Sequence, residues 1–448
     1  MWRPNWWRRL RRQIPEEVLF ALNRLAEAGY EAYLVGGAPR DLLLDRTPED
    51  WDLATDARPE KVKTLFANAW PLGEKFGTVR VPFDRLEVDI TTFREEGAYS
   101  DGRRPDWVNF TPSLEADLAR RDFTMNAIAL DPLREKLVDP FAGVQALKRR
   151  LVKTVGEPAV RFGEDALRML RFYRFQATLG FRGDRETEKG ITPGLITKVS
   201  GERIRDELTK LLVASFPKAG LEGMARSGLL PAVLPEFGAV LAEPGLFRHT
   251  VATVQAIKPA TGLRWAAFLH DLGKPRTRVV QGDRLHYYGH EKVGAELAAA
   301  ILERLRFPRK VAEQILALVR WHMFPADPWM TDAALRRLVA RVGKENIKGL
   351  LELRRADLVG TPGVAARAFS GLTQFAARLE ALLAGETVLS LRDLAVNGHE
   401  VMEFLGIQPG PRVGEVLQEI FHWVTEDPAR NRKELILEYL ATRGNNPD

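Results

Sequence analysis

The residues that decide the fold are Val35-Gly-Gly-Ala-Pro-Arg-Asp41 and, shortly after, Glu49-Asp-Trp-Asp-Leu-Ala-Thr55. A β-rich run over 31–35 stops at Gly36 and Gly37, and 41–44 reads as the opening of a helix. Such a strand-to-helix turn presents backbone N–H groups to an anion; from these residues alone, an ordinary turn needing glycine serves as well. Asp50 and Asp52 start the next strand. Residues i and i+2 on a strand share a face, so the two carboxylates converge. Farther on, Leu86, Val88 and Ile90 alternate with Glu87, Asp89 and Thr91. The apolar set predicts the core face and leaves Glu87 and Asp89 on the other. Three carboxylates from two neighbouring strands suit a pair of Mg²⁺ ions, which activates an attacking hydroxyl and stabilises a leaving phosphate. An isolated Asp-x-Asp is read equally as a solvated strand edge.

Outward from this centre, 14–29 has helical spacing of apolar residues, and 51–54, 78–83 and 86–93 read as strands. From about residue 150 helices broken by Gly and Pro run to the end of the chain. The 448 residues predict two to four domains at roughly 100–200 residues each. Hydrophobic content of 45% with 28% charged residues excludes collagen, disordered acidic tails and membrane bundles. The absence of cysteine excludes disulfides, thiol nucleophiles and zinc-thiolate sites, and fits a cytoplasmic chain. Net charge is +6, with 49 arginines against 17 lysines. Guanidinium forks suit phosphate-rich partners, although a genome that prefers arginine gives the same count. The basic, aromatic residues 1–13 lack the apolar run of a signal peptide and are expected to be a poorly ordered, solvated extension.

The order of motifs resembles class II tRNA nucleotidyltransferases, the CCA-adding enzymes. After the two blocks above come Val88-Asp-Ile-Thr-Thr-Phe-Arg94, Arg120-Arg-Asp-Phe-Thr-Met-Asn-Ala127, Asp139-Pro-Phe-Ala-Gly143, Glu164-Asp-Ala-Leu-Arg-Met-Leu-Arg171 and Glu202-Arg-Ile-Arg-Asp-Glu207. Pro39 and Trp51 depart from the usual pattern without removing a functional group. The resemblance implies an α/β nucleotidyltransferase head with a polymerase-β-like mixed sheet, followed by an all-α neck, an HD domain and a tail. The implied divisions are a basic extension at 1–13, head 14–149, base-recognising neck 150–228, HD domain 229–360 and tRNA-binding tail 361–448.

The resemblance assigns roles residue by residue. Asp50 and Asp52 would bind Mg²⁺, and Asp89, preferred over Glu87, would help deprotonate the incoming 3′-hydroxyl. Gly36, Gly37, Arg40 and Asp41 form the nucleotide loop; Arg121 and Asp122 would hold phosphate and ribose, with Asn126 in support. Asp165, Arg168 and Arg171, read as one face of a helix, would pair with the Watson–Crick edges of cytosine and adenine, leaving guanine and uracil with unpaired polar groups. Arg174 would add a phosphate or ribose contact. The loop-forming stretch 94–106 is a feature that relatives adding only the two cytidines tend to lack.

His249, Phe268-Leu-His-Asp-Leu-Gly-Lys274, Tyr288-Gly-His-Glu291, Arg320-Trp-His-Met323 and Arg355-Ala-Asp-Leu358 are similar to the HD phosphohydrolase pattern. It implies His249, His270, Asp271 and Asp357 as ligands of a transition metal, since imidazole with carboxylate suits one, and His290 and His322 as accessory groups. His399 and His422, in Val396-Asn-Gly-His-Glu-Val-Met402 and beyond, are expected to pack between helices. Gly410 and Gly414 beside Arg412 read either as backbone amides set against tRNA phosphates or as a helix start with no RNA contact.

The expected function is Mg²⁺-dependent, template-independent addition of CCA to tRNA from CTP and ATP, releasing pyrophosphate, with the HD block left open as either an additional phosphohydrolase or a scaffold only. The alternatives are an enzyme adding only A, a poly(A) polymerase, or an HD phosphohydrolase whose head merely binds RNA. Expected partners are tRNA, CTP and ATP, with no membrane; the oligomeric state is left open.

Overall fold

Alternating burial sets the faces of the central sheet. The strands of the N-terminal region are β1 (Ala32–Val35), β2 (Trp51–Thr55), β3 (Trp70–Pro71), β4 (Thr78–Pro82), β5 (Glu87–Thr92), β6 (Arg94–Glu96), β7 (Val108–Phe110), β8 (Ala129–Asp131) and β9 (Lys136–Val138). Seven of them form a mixed sheet in the order β3-β4-β5-β2-β1-β8-β9. Only β2 and β5 run parallel within it. Leu34, Leu53, Val88 and Ile90 point into one core, against Val18, Leu22 and Leu25 of the Glu16–Glu27 helix. Tyr33, Val35 and Ala54 point the other way, toward Leu114, Leu118 and Ala127. Period-two alternation therefore puts Asp52 and Asp89 on this second face.

The computed structural model describes residues 6–72, 76–97, 107–363, 366–385 and 390–444. The chain divides into two units, Met1–Pro235 and Glu236–Asp448. The stretch 94–106 lies mostly outside the described residues; its flanks β6 and β7 pair antiparallel. The N-terminal segment differs from the solvated extension expected of it. Trp6–Arg11 is a helix with Leu10 only 2% exposed, and Trp6 and Trp7 pack on the first core. The apolar residues Trp6, Leu10 and Ile14 recur at helical spacing, so one face buries while the arginines stay in water.

The rest of the first unit is mainly helical. Leu167–Leu179 is its central helix, packed on Gly201–Val213 and Pro217–Arg226. Phe172 stacks on Phe123 at 6.3 Å and Phe175 meets the same ring edge-on at 5.5 Å, joining the helix to the head. A short parallel ribbon, β10 (Leu151–Val152) and β11 (Arg182–Gly183), adds to the junction. The unit extends past residue 228 because Leu229, Leu230 and Leu234 are fully buried in it.

In the second unit, helices Pro244–Ala256, Thr261–Leu269, His290–Arg304, Arg309–Trp321 and Ile347–Gly360 bury Trp265, Phe268, Ile301, Leu318 and Leu353. Val401, Val416, Ile420, Val424 and Ile436 form a separate core toward the C-terminus. One interruption breaks the expected run of helices: β12 (Arg278–Gln281) and β13 (Arg284–Tyr287) make a hairpin across Gly282 and Asp283. A two-residue Gly-Asp turn between β-branched and aromatic residues is a hairpin signal.

Candidate functional site

Strand register gathers the head carboxylates. Asp52 on β2 stands opposite Asp89 on β5. Across β4, Arg80 is paired directly with Asp89 and forks onto it, Nε donating to Oδ1 at 2.7 Å and Nη2 to Oδ2 at 2.9 Å. The same guanidinium reaches Glu87 at 2.9 Å. Glu87 thus sits with Arg80 at the outer edge, while Asp89 faces Asp52. Burial, with Asp89 and Asp50 nearby, pushes the Asp52 carboxyl up to about 6, against Arg121 and Arg80. A half-buried carboxylate crowded by two others, all hard oxygen donors, is a set that a divalent cation fits.

Gly36 makes room for this arrangement. Its φ is +74°, and a Cβ there would lie 3.0 Å from Asp52 Oδ2 and 3.5 Å from an Arg121 nitrogen. A glycine is needed here for both reasons. Arg121 is aimed by Asp117, which is fully buried and accepts from both Arg120 (2.8 Å) and Arg121 (3.0 Å). Burial would raise the Asp117 pKa, but the two guanidiniums hold it below its ordinary value. Arg121 Nε is buried with no partner among the described residues, so an anion can take it.

Of these groups, Gly36, Asp50, Asp52, Arg120 and Arg121 open onto a cavity of about 900 Å³ whose lining also includes Gly37, Asp165 and Arg168, while Asp89 stands behind Asp52 outside that lining. Nine cationic side chains and six carboxylates line it, a surplus that suits a triphosphate. A relay of side chains runs through its wall. Arg40 forks onto Asp41 (2.9 and 2.7 Å) and donates to Asn126 Oδ1 (2.9 Å). Asn126 donates to Asp122 Oδ1 (3.0 Å), and Asp122 Oδ2 accepts from Arg171 (2.8 Å). Arg171 and Arg174 both reach Glu207, at 3.5 and 2.6 Å. Burial alone would raise the Asp122 pKa; Arg171, Asn126 and Arg168 together hold it far below the usual range.

Asp165, Arg168 and Arg171 were expected on one helical face, and Asp165 departs from that. It terminates the Pro158–Glu164 helix in an extended conformation, and the next helix begins at Leu167. Its Oδ1 accepts from the Leu167 N–H at 3.1 Å, the competition with the helical ladder that Asp side chains favour. Its Oδ2 accepts from Arg203 at 2.7 Å. Arg168 donates to Glu164 and to the Arg120 carbonyl (3.1 Å). Both side chains still line the cavity.

The second unit brings three histidines from helix ends to His249, which lies inside the Pro244–Ala256 helix. His270 and His322 cap the Thr261–Leu269 and Arg309–Trp321 helices. Their Nδ1 atoms lie 2.8 and 2.7 Å from the Ala267 and Val319 carbonyls, groups a helix end leaves short of partners. His290 Nδ1 lies 2.7 Å from the Tyr287 carbonyl. With those Nδ1 protons donated, the Nε2 lone pairs turn inward, the orientation of metal ligands. His249 Nε2 stands 3.1 Å from His270 Nε2, 3.3 Å from Asp271 Oδ2 and 3.2 Å from Asp357 Oδ1. On the other side of Asp271, His290 and His322 lie 3.5 and 3.7 Å from Oδ1. That oxygen is buried, and among the described residues these two rings face it at distances too long for a firm hydrogen bond. Burial opposes a proton on His249, yet Asp271 and Asp357 raise it to about 9.

His399 and His422 are exposed on their helices rather than packed between them, and Arg412 is paired with Glu415 at 2.9 Å. Sequence reasoning did not find Arg80, Asp117, Arg203 or Glu207 as members of the head site. Arg80 left a local trace as the charged residue between Val79 and Val81 in a strand of alternating burial, and Arg203 and Glu207 lie within the quoted block 202–207 without having been given a role there.

Three family models match the chain: "Poly A polymerase head domain" over 32–153, "Probable RNA and SrmB-binding site of polymerase A" over 180–241, and "tRNA nucleotidyltransferase domain 2 putative" over 291–440. The CCA-adding enzyme of Geobacillus thermodenitrificans is 36% identical over 437 residues, covering 96% of this chain and 97% of that one. That of Streptococcus gordonii is 34% identical over 430 residues, with the same coverage of both. Among solved structures, the Bacillus stearothermophilus CCA-adding enzyme in complex with CTP superposes with a TM-score of 0.75 at 33% identity, covering 96% of this chain and 97% of that one. The Thermotoga maritima enzyme complexed with tRNA, at 20% identity and a TM-score of 0.57, shares the fold over 97% of this chain and 98% of that one.

Proposed function

The chain belongs to the CCA-adding enzymes, and from that membership we propose how its residues add cytidine, cytidine and adenosine to the 3′ end of tRNA. Its substrates are tRNA, CTP and ATP. The observation that carries the assignment is one cavity lined both by Asp50 and Asp52 and by Asp165 and Arg168, amid nine cations.

Arg40 and Arg174, with the Gly36-Gly37 turn, hold the triphosphate. Arg171 joins them, turned onto Asp122 and Glu207 beside Arg174 rather than standing with the base readers Asp165 and Arg168 as the sequence suggested. Arg121 and Asp122 fix phosphate and ribose, with Asn126 locking Asp122 to Arg40. The family uses a divalent cation, which we take to be Mg²⁺ on Asp50 and Asp52; when bound it neutralises charge on the triphosphate and the departing pyrophosphate. The tRNA 3′-oxygen attacks the α-phosphorus. The new P–O bond forms as the bond to the β-bridging oxygen breaks, pyrophosphate leaves, and the hydroxyl proton passes to Asp89. Arg80 keeps that carboxylate aimed across at Asp52.

Base choice needs no template. Asp165 accepts from the amino group of cytosine or adenine while Arg168 donates to the adjacent ring nitrogen. Guanine and uracil present the reverse pattern and leave buried groups unpaired. Arg203 and Glu164 hold the two readers between nucleotides. The tail 361–448 is taken to bind the body of the tRNA by shape and charge. We place the enzyme in the cytoplasm; no described helix is long and apolar enough to cross a membrane.

The test is extension of tRNA lacking its last three nucleotides, with Mg²⁺ and each nucleoside triphosphate singly and together. Two cytidines and one adenosine, then a stop, is the expected product. Long A tails, or incorporation of U and G as efficient as C and A, contradict it.

A second reading applies to residues 229–360. Convergence of four imidazoles and two carboxylates around the shared Asp271 supports an HD phosphohydrolase, with His249, His270, Asp271 and Asp357 as ligands and His290 and His322 beside them. A transition metal there would supply Lewis acidity toward a phosphoester. Hydrolysis of p-nitrophenyl phosphate that depends on added Ni²⁺ or Mn²⁺ tests it; a chain that binds neither ion fails it.

A further inference from the structure

Phe175 carries no reactive group, yet it lines the nucleotide cavity at the densest point of its positive charge. Its ring is 3% exposed and is held edge-on by Phe123 at 5.5 Å. The guanidinium carbon of Arg174 lies 3.8 Å from the ring centroid, that of Arg40 5.2 Å and that of Arg171 5.5 Å. Three arginines from two separate elements, the Gly37–Leu43 and Leu167–Leu179 helices, therefore share one phenyl ring.

Like charges this close repel, and something must hold them together before a nucleotide arrives. Asp41, Asp122 and Glu207 do so in part, but each carboxylate occupies N–H donors that a phosphate needs. A ring face attracts a cation through its quadrupole and takes no donor. We propose that Phe175 is a positioning residue for the nucleotide's phosphates, the common seat on which Arg40, Arg171 and Arg174 are gathered without engaging any further donor. The inference rests on the reading of those arginines as phosphate ligands. It deepens that reading by naming what assembles them.

Stepwise fluorination of the ring tests this, because fluorine drains the quadrupole while the shape of the side chain is nearly kept. The full-length enzyme is made with mono-, di- and trifluorophenylalanine at position 175, and as Phe175→Leu. KM for CTP and for ATP, kcat, and inhibition by inorganic pyrophosphate are measured for each. KM is expected to climb with each fluorine to about tenfold, equally for both nucleotides, with kcat within about twofold and pyrophosphate inhibition weakened in parallel. Phe175→Leu falls with the most fluorinated ring.

A flat KM across the series overturns the proposal, as does a change confined to one nucleotide. Arg40→Ala separates this from failure of the underlying reading. If Arg40→Ala raises KM while fluorination does nothing, the arginines bind phosphate and the ring does not seat them. If Arg40→Ala also leaves KM unchanged, the phosphate reading itself is wrong and the proposal goes with it.

Discussion

The carboxylate site on the sheet and the histidine cluster among the helices both gather metal-ligating groups, and they are built on opposite terms. In the head, Asp50 is exposed, Asp89 has a side-chain exposure of 24%, and the neighbours are mostly arginines of an open cavity. In the second unit, His270 and Asp271 are 0% and 2% exposed, and three rings have their Nδ1 atoms fixed against backbone carbonyls. On the proposed function, the first arrangement would leave coordination positions to a substrate, so that a cation would come and go with it, whereas the second is pre-set for a metal that would stay. The contrast to be tested is thus between an exchanging cation in the head and a resident one in the second unit.

The largest effect that tests this contrast is at Asp89. Asp89→Asn should lower CCA addition at least about a thousandfold in single-turnover assays, with nucleotide affinity kept. A loss below tenfold would remove Asp89 from the chemistry. Gly36→Ala follows, expected to cost about a hundredfold in rate, because a Cβ 3.0 Å from Asp52 Oδ2 displaces that carboxylate. Asp117→Asn should raise KM for both nucleotides about tenfold through Arg121 and lower stability by about 3 kcal/mol in denaturant melts, as breaking a buried ion pair does. Unchanged KM with lowered stability would make Asp117 purely structural.

The smallest effect is a difference in proton release. In the cation-free chain the Asp52 carboxyl is raised from 3.8 to about 6, so its proton is retained up to that pH. The stability this proton lends is complete below 3.8 and lost as pH rises through 6. His249 is raised from 6.5 to about 9, so its contribution is complete below 6.5 and lost as pH rises through 9. At pH 7.5, cation binding in the head should therefore release no proton, whereas metal binding at the histidines should release about one. Calorimetry in buffers of different ionisation enthalpy measures both; equal release at the two sites would erase the distinction.

Period-two alternation over 86–91 was enough to place Asp89 on the face of Asp52, and the glycine pair to place the turn beside them. The helical N-terminus was equally available in Trp6, Leu10 and Ile14, but the surrounding arginines outweighed that spacing. What local pattern does not carry is partnership at a distance. Arg203 lies 38 residues from Asp165, and Arg171 lies 49 from Asp122. Asp165 itself was misplaced because its side chain caps the following helix, a choice made by one hydrogen bond. The six residues of the histidine cluster, by contrast, span more than 100 positions, and only a motif read as a set relates them.

The most direct measurement is a double dissociation on the full-length enzyme. CCA addition to truncated tRNA and Ni²⁺- or Mn²⁺-dependent hydrolysis of p-nitrophenyl phosphate are followed in one preparation each of Asp52→Ala and of the His270→Ala, Asp271→Ala pair. The predicted result is that Asp52→Ala abolishes addition and spares hydrolysis, while the histidine-cluster variant does the reverse. Addition that survives Asp52→Ala would contradict the account at its centre.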